Sequence, residues 1–198
     1  MKKTLSLLIV IATCLSLLMA FTSCAPKHPI DAFLDKVEKA DSCQMSMTMS
    51  DVPLFGTISV TTKIDGNVQY TPATIFSEES YIELVGDVTY KYTKNDIGKW
   101  TKAKVSSTDA ETDDSGIFSE ESMEQLFNSE NYEKVSGKEN TYKQKSDVTF
   151  EGYEDVVITI EDDSCTLEMN ATSDGMVFGL KVVISKLGEV KLTLPKVG

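Results

Sequence analysis

Cys43-Gln44-Met45-Ser46-Met47-Thr48-Met49-Ser50 alternates apolar and polar side chains without a break. In an extended chain successive side chains point to opposite faces, so this stretch predicts a strand with one buried face and one solvated face. The pattern recurs along the chain. Ile58, Val60 and Ile64 alternate with Thr57, Ser59, Thr61 and Lys63, and Val88, Tyr90 and Tyr92 alternate with Thr89, Lys91 and Thr93. Cys165, Leu167 and Met169 alternate with Thr166, Glu168 and Asn170. Met176, Phe178, Leu180, Val182 and Ile184 share a face, and Val190, Leu192 and Leu194 close the series. Turn-forming stretches separate the runs: Asp51-Val52-Pro53, Asp65-Gly66-Asn67, Asn95-Asp96-Ile97-Gly98, Ser173-Asp174-Gly175 and Lys186-Leu187-Gly188. Such short spacings favour antiparallel pairing over parallel crossovers.

Two segments follow a helical period instead. Over residues 30–40, Ile30, Phe33, Leu34 and Val37 fall at i, i+3, i+4 and i+7, with Asp31, Asp35, Lys36, Glu38 and Lys39 on the other side. Ser119 suits an N-cap followed by Glu120 and Glu121, and Phe118 and Met123 stand at the positions of a hydrophobic staple. Met123, Leu126 and Phe127 give that second helix a short apolar face, after an acidic loop over residues 106–116. The expected fold is therefore mostly β (α+β). It is a curved antiparallel half-barrel sheet with an N-terminal helix and one short internal helix against its concave face. Two short helices cannot cover a wide sheet, and an uncovered apolar concavity is a natural ligand site. Met45, Met47, Ile58, Val60, Tyr90 and Phe178 are its candidate walls. Methionines at alternate positions are adaptable core, cavity lining or soft-metal ligands, and no histidine stands near them in sequence.

The N-terminus carries a separate signal. Lys2 and Lys3 precede an apolar run over residues 5–20, and small residues precede a cysteine. This is the layout of a cleaved signal peptide. Phe21-Thr22-Ser23-Cys24 resembles the lipobox of bacterial lipoproteins, with Phe21 where leucine is common. The resemblance implies lipid attachment at Cys24, so the expected organisation is a signal peptide over 1–23, an anchor and short tether over 24–29, and one domain over 30–198. It also places the protein in the cell envelope, on the outer side of the cytoplasmic membrane or in the periplasm. Two acyl chains give stable anchoring where one gives marginal binding.

Of 198 residues, 19 are basic and 31 acidic, and losing Lys2 and Lys3 moves the formal charge from −12 to −14. This balance argues against nucleic acid as a partner. The expected partners are the membrane, through the anchor, and a lipid or other apolar ligand; nothing in the sequence names a protein partner. Cys43 and Cys165 lack metal-ligand spacing and can pair as a disulfide or sit as two buried thiols. His28 is the single histidine and lies in the tether, so a nucleophile has no evident base; the chain reads as a non-enzyme needing no cofactor. Asp109, Glu111, Asp113, Ser115 and Glu120 match an EF-hand count, but Asp114 stands where that loop needs glycine, so a solvated acidic loop is the reading taken.

The layout as a whole resembles the LolA/LppX-like superfamily of extracytoplasmic lipid-handling proteins. The resemblance rests on the helix over 31–40 feeding a strand over 42–51. It rests also on Gly86-Asp87-Val88-Thr89-Tyr90-Lys91-Tyr92 followed by Gly98-Lys99-Trp100-Thr101-Lys102, a tyrosine-rich strand turning into one with the single tryptophan. It implies an open half-barrel lined by apolar side chains, plugged by helices, that binds acyl chains without chemistry. An envelope interaction or sensory module, with a filled core on the same scaffold, is the alternative.

Overall fold

The computed structural model describes residues 27–75, 77–105, 124–173 and 175–198. Cys24, the signal segment, the staple residues Phe118 and Met123, and the acidic positions 109–120 lie outside the described residues.

Helix α1 spans Pro29–Lys39. Pro29 supplies a preset φ at the first turn, and the His28 ring accepts the Ile30 N–H at 3.3 Å through Nδ1. Asp41, in the left-handed region at φ 52°, turns the chain out of the helix. Eleven strands are described: β1 Ser42–Val52, β2 Gly56–Asp65, β3 Val68–Thr71, β4 Ser80–Val85, β5 Val88–Lys94, β6 Trp100–Lys104, β7 Tyr132–Lys134, β8 Thr141–Gln144, β9 Tyr153–Ile160, β10 Cys165–Ser173 and β11 Met176–Ser185. They form one open antiparallel sheet, in the order β6-β5-β4-β3-β2-β1-β11-β10-β9-β8-β7. The architecture is mostly β, a curved half-barrel in which β1 is central and two meanders run outward from it.

Register defines the two faces, because residues directly opposite one another share a face. On the inner face, Ile160, Cys165, Ile184, Met45 and Thr62 form one row across β9, β10, β11, β1 and β2. The next row is Tyr142, Ile158, Leu167, Val182, Met47 and Val60. Ile30, Phe33, Leu34 and Val37 from α1 join this face in a single apolar core, with Leu126 and Phe127 beside them. Fully burying a side chain such as Phe33 contributes about 1.5–3 kcal/mol. Residues 124–126 are helical, within the stretch where the short internal helix was expected.

Two sequence expectations change. The run Val190, Leu192, Leu194 alternates but is not a strand. It belongs to an extended tail whose Leu192 N–H donates to Asp65 Oδ2 at 2.8 Å and whose Gly198 N–H reaches the Trp100 carbonyl at 3.4 Å. Six residues cover about 20 Å when extended, and β2 to β6 is about 19 Å at the usual strand spacing. The tail therefore lies stretched across the β3–β6 half of the sheet. Conversely, β9 was not legible as an alternating run. Asp155, at φ 56°, sits where the register with β10 shifts between Glu168 and Asn170. The bulge makes Tyr153 and Val156 both buried at an odd spacing.

Candidate functional site

The inner face is not covered evenly. Along the row through Met47, Ile158, Leu167 and Val182 are 4% exposed or less, whereas Met47 and Val60 are half-buried. In the row beyond it, Met169, Leu180 and Ile58 are buried while Met49 is half-buried. Phe178, opposite Ala171, is half-buried one row further on. The cover given by α1 thus thins where the sheet passes from β11 into β1 and β2. What remains is a strip of Met47, Met49, Val60 and Phe178 at the margin of the core. It leads toward the β1–β2 and β10–β11 turns, where Leu54, Phe55 and Met176 are exposed. Unbranched thioethers suit such a margin because they repack around irregular neighbours.

Of the six candidate walls, five lie on this face. Met45 and Ile58 are buried within packing, at 5% and 6% exposure, and Met47, Val60 and Phe178 border the uncovered strip. Tyr90 is a correction. The register through β2, β3, β4 and β5 puts Ile64, Gln69, Ile82 and Lys91 in one inner-face row, so Tyr90 points to the outer face. Alternation identifies which residues share a face but not which face is inner, and only the pairing decides that. Met49 belongs to the strip although it was not among the candidate walls; its place in the same alternation was the available signal.

On the outer face of β3–β6, Tyr70 and Tyr81 pair at 4.8 Å and Tyr81 meets Trp100 edge-on at 5.4 Å. The Lys102 ammonium lies 4.1 Å from the Tyr90 ring centre. Two Tyr–Glu–Lys sets tie the patch together. Tyr70 donates to Glu79, which also binds Lys94; Tyr92 donates to Glu83, which also binds Lys102. The Tyr92 hydroxyl and the Lys102 ammonium hold the Glu83 carboxyl below its usual range, and its own bonds to Tyr92 and Glu83 raise Lys102 to about 12. Each of these polar groups is engaged within the patch.

Cys43 and Cys165 are free buried thiols, with β11 between their strands. Burial pushes them up to about 11 and about 12, so both are inert at neutral pH. His28 stands with its ring edge-on to Tyr142 at 4.7 Å, and burial lowers its pKa. Its Nδ1 is engaged by Ile30, so its place in the structure is that of a helix cap. Among the described residues, no group of three or more His, Cys, Asp or Glu side chains is placed to hold a metal ion, and no helix is long and apolar enough to cross a membrane. No protein-family model matches the chain, and no curated protein matches it in sequence.

Proposed function

We propose that this is a membrane-anchored extracytoplasmic lipoprotein that holds or shuttles a lipid or other apolar ligand without catalysing a reaction on it. The observation that carries the reading is the thinning of cover over Met47, Met49, Val60 and Phe178, on a face otherwise packed by α1. An acyl chain laid along this strip gains about 0.8 kcal/mol for each methylene removed from water. The anchor expected at Cys24 would keep the domain beside a source of such chains. The alternative, an interaction or sensory module with a filled interior, draws support from Met45 and Ile58, which are packed, and from the tail that crosses the other half of the sheet.

Titration with a fluorescent fatty acid tests the proposal. A carboxylate at Met47 or Phe178 faces the acyl chain and is costly to desolvate. Met47→Glu and Phe178→Glu are expected to weaken binding at least ~10-fold, equivalent to ~1.4 kcal/mol, while thermal melting reports whether the fold survives. Absence of saturable binding by the unaltered protein would leave the interaction module standing.

A further inference from the structure

The antiparallel order sends alternate connections to opposite ends of the sheet. The β1–β2, β3–β4, β5–β6 and β10–β11 connections share one end; the β2–β3, β4–β5 and β9–β10 turns share the other. The first set carries Leu54 and Phe55, Ile75, Ile97, and Met176 and Val177, all exposed. The second set carries Gly66-Asn67, Gly86-Asp87 and Glu161-Asp162-Asp163-Ser164. Leu84 and Val85 are the exposed large apolar residues described at that end, and they flank Gly86-Asp87 as the last residues of β4. One end of the half-barrel is tipped with apolar side chains at four separate turns, with carboxylates such as Asp51, Asp96 and Glu151 beside them, and the other end is mainly polar.

Leu54 makes the exposure hard to treat as incidental. It is 99% exposed and sits in the left-handed region at φ 71°. Glycine or asparagine would relieve that backbone and would be better solvated. Neither packing nor turn geometry explains a leucine there.

We propose that this apolar rim seats on the surface of a lipid bilayer. The tips come from turns spread between β6 and β10 in sheet order, with polar residues such as Thr74 and Asp96 between them. Separated apolar points fit a deformable plane better than a protein partner, which needs a contiguous complementary patch. The length of chain beyond the described residues agrees. Lys27 is three residues from Cys24, a reach of about 10 Å, so an anchor there holds the domain against the surface and leaves the rim to set which end meets it. This inference rests on the anchor of the proposed function for proximity, and does not depend on whether the inner strip carries cargo.

Depth-dependent quenching tests it on the full-length lipidated protein. Leu54→Cys, Ile97→Cys and Asp87→Cys are each labelled with a fluorophore, the native thiols being buried. The protein is bound to phosphatidylcholine vesicles whose acyl chains carry nitroxide. Labels at 54 and 97 are expected to be quenched at least twofold more than the label at 87. Adding Leu54→Asp to the Ile97→Cys protein should reduce that quenching while flotation with the vesicles persists. Equal or reversed quenching in floating protein overturns the rim and spares the anchor; protein that does not float overturns both. Quenching between labels at position 54 on different copies, without lipid, would assign the rim to a second copy of the chain and overturn the bilayer.

Discussion

On the half of the sheet built from β1, β2 and β7–β11, the inner face is apolar and covered in large part by α1, and the outer face is a polar ladder. Ser46 meets Thr61 and Thr48 meets Ser59, each at 3.0 Å, and Lys181 binds Glu168 at 2.8 Å. On β3–β6 the arrangement reverses. Gln69, Thr71 and Ser80 are buried on the inner face, and the rings of Tyr70, Tyr81, Tyr90 and Trp100 lie on the outer one. A single continuous sheet therefore carries its large apolar side chains mainly on the inner face in one half and its aromatic rings on the outer face in the other, where Ile82 is the buried apolar residue of the inner face. The first half is stabilised by burial against a helix. The second is held by ring contacts, exposed ion pairs that add little individually, and the stretched tail.

The largest expected effect tests where stability is concentrated. Phe33→Ala removes a ring from the centre of the helix-covered half and should cost roughly 3–5 kcal/mol in urea unfolding. Tyr81→Ala removes a comparable ring from the outer patch and should cost less, about 1–2 kcal/mol, since an aromatic pair adds about 0.5–1.5 beyond its area. Equal losses would erase the distinction between the halves.

Within the first half, Met45 and Met47 are two residues apart on one strand and face. Met45→Ala should cost roughly 2–5 kcal/mol, as for a packed core methionine. Met47→Ala should cost less than half as much, because the residue already lacks neighbours on one side, and should alter fatty-acid affinity. A full core-sized loss at Met47 would mean that the strip is packed interior.

The contrast between the halves also explains what could be read from the sequence. Helix α1 and β1 were legible because Ile30, Phe33, Leu34 and Val37, and Cys43 through Met49, each repeat with one clean period. Tyr90 was misplaced because both faces of β5 carry partly buried side chains, so alternation alone could not orient it. The bulge at Asp155 hid β9, and the tail imitated a strand because its apolar residues alternate although no described strand pairs with them. The rim could not be seen at all before the strand order was known. Leu54, Ile75, Ile97 and Met176 are far apart in sequence and are brought to one end only by the pairing.

The smallest effect concerns the outer patch. Glu83 has its pKa lowered from an ordinary 4.5 by Tyr92 and then Lys102. A carboxylate with a depressed folded pKa contributes stability above its unfolded pKa and loses it as pH falls through the folded one. Glu83→Gln should therefore be slightly less stable than the unaltered protein near neutrality, with the difference closing below about pH 4.5. A difference that persists unchanged to pH 2 would show that the carboxylate charge is not what the patch uses.

Native mass spectrometry of the full-length protein, released from membranes, tests the central claim most directly. Lipid binding by the inner strip should appear as non-covalent adducts of lipid mass that disappear on denaturation, while any covalent anchor mass remains. The adducts should diminish in Met47→Glu and persist in Glu83→Gln, whose change lies on the opposite face of the other half. Protein that is always free of non-covalent lipid, even after incubation with excess fatty acid, would contradict the account.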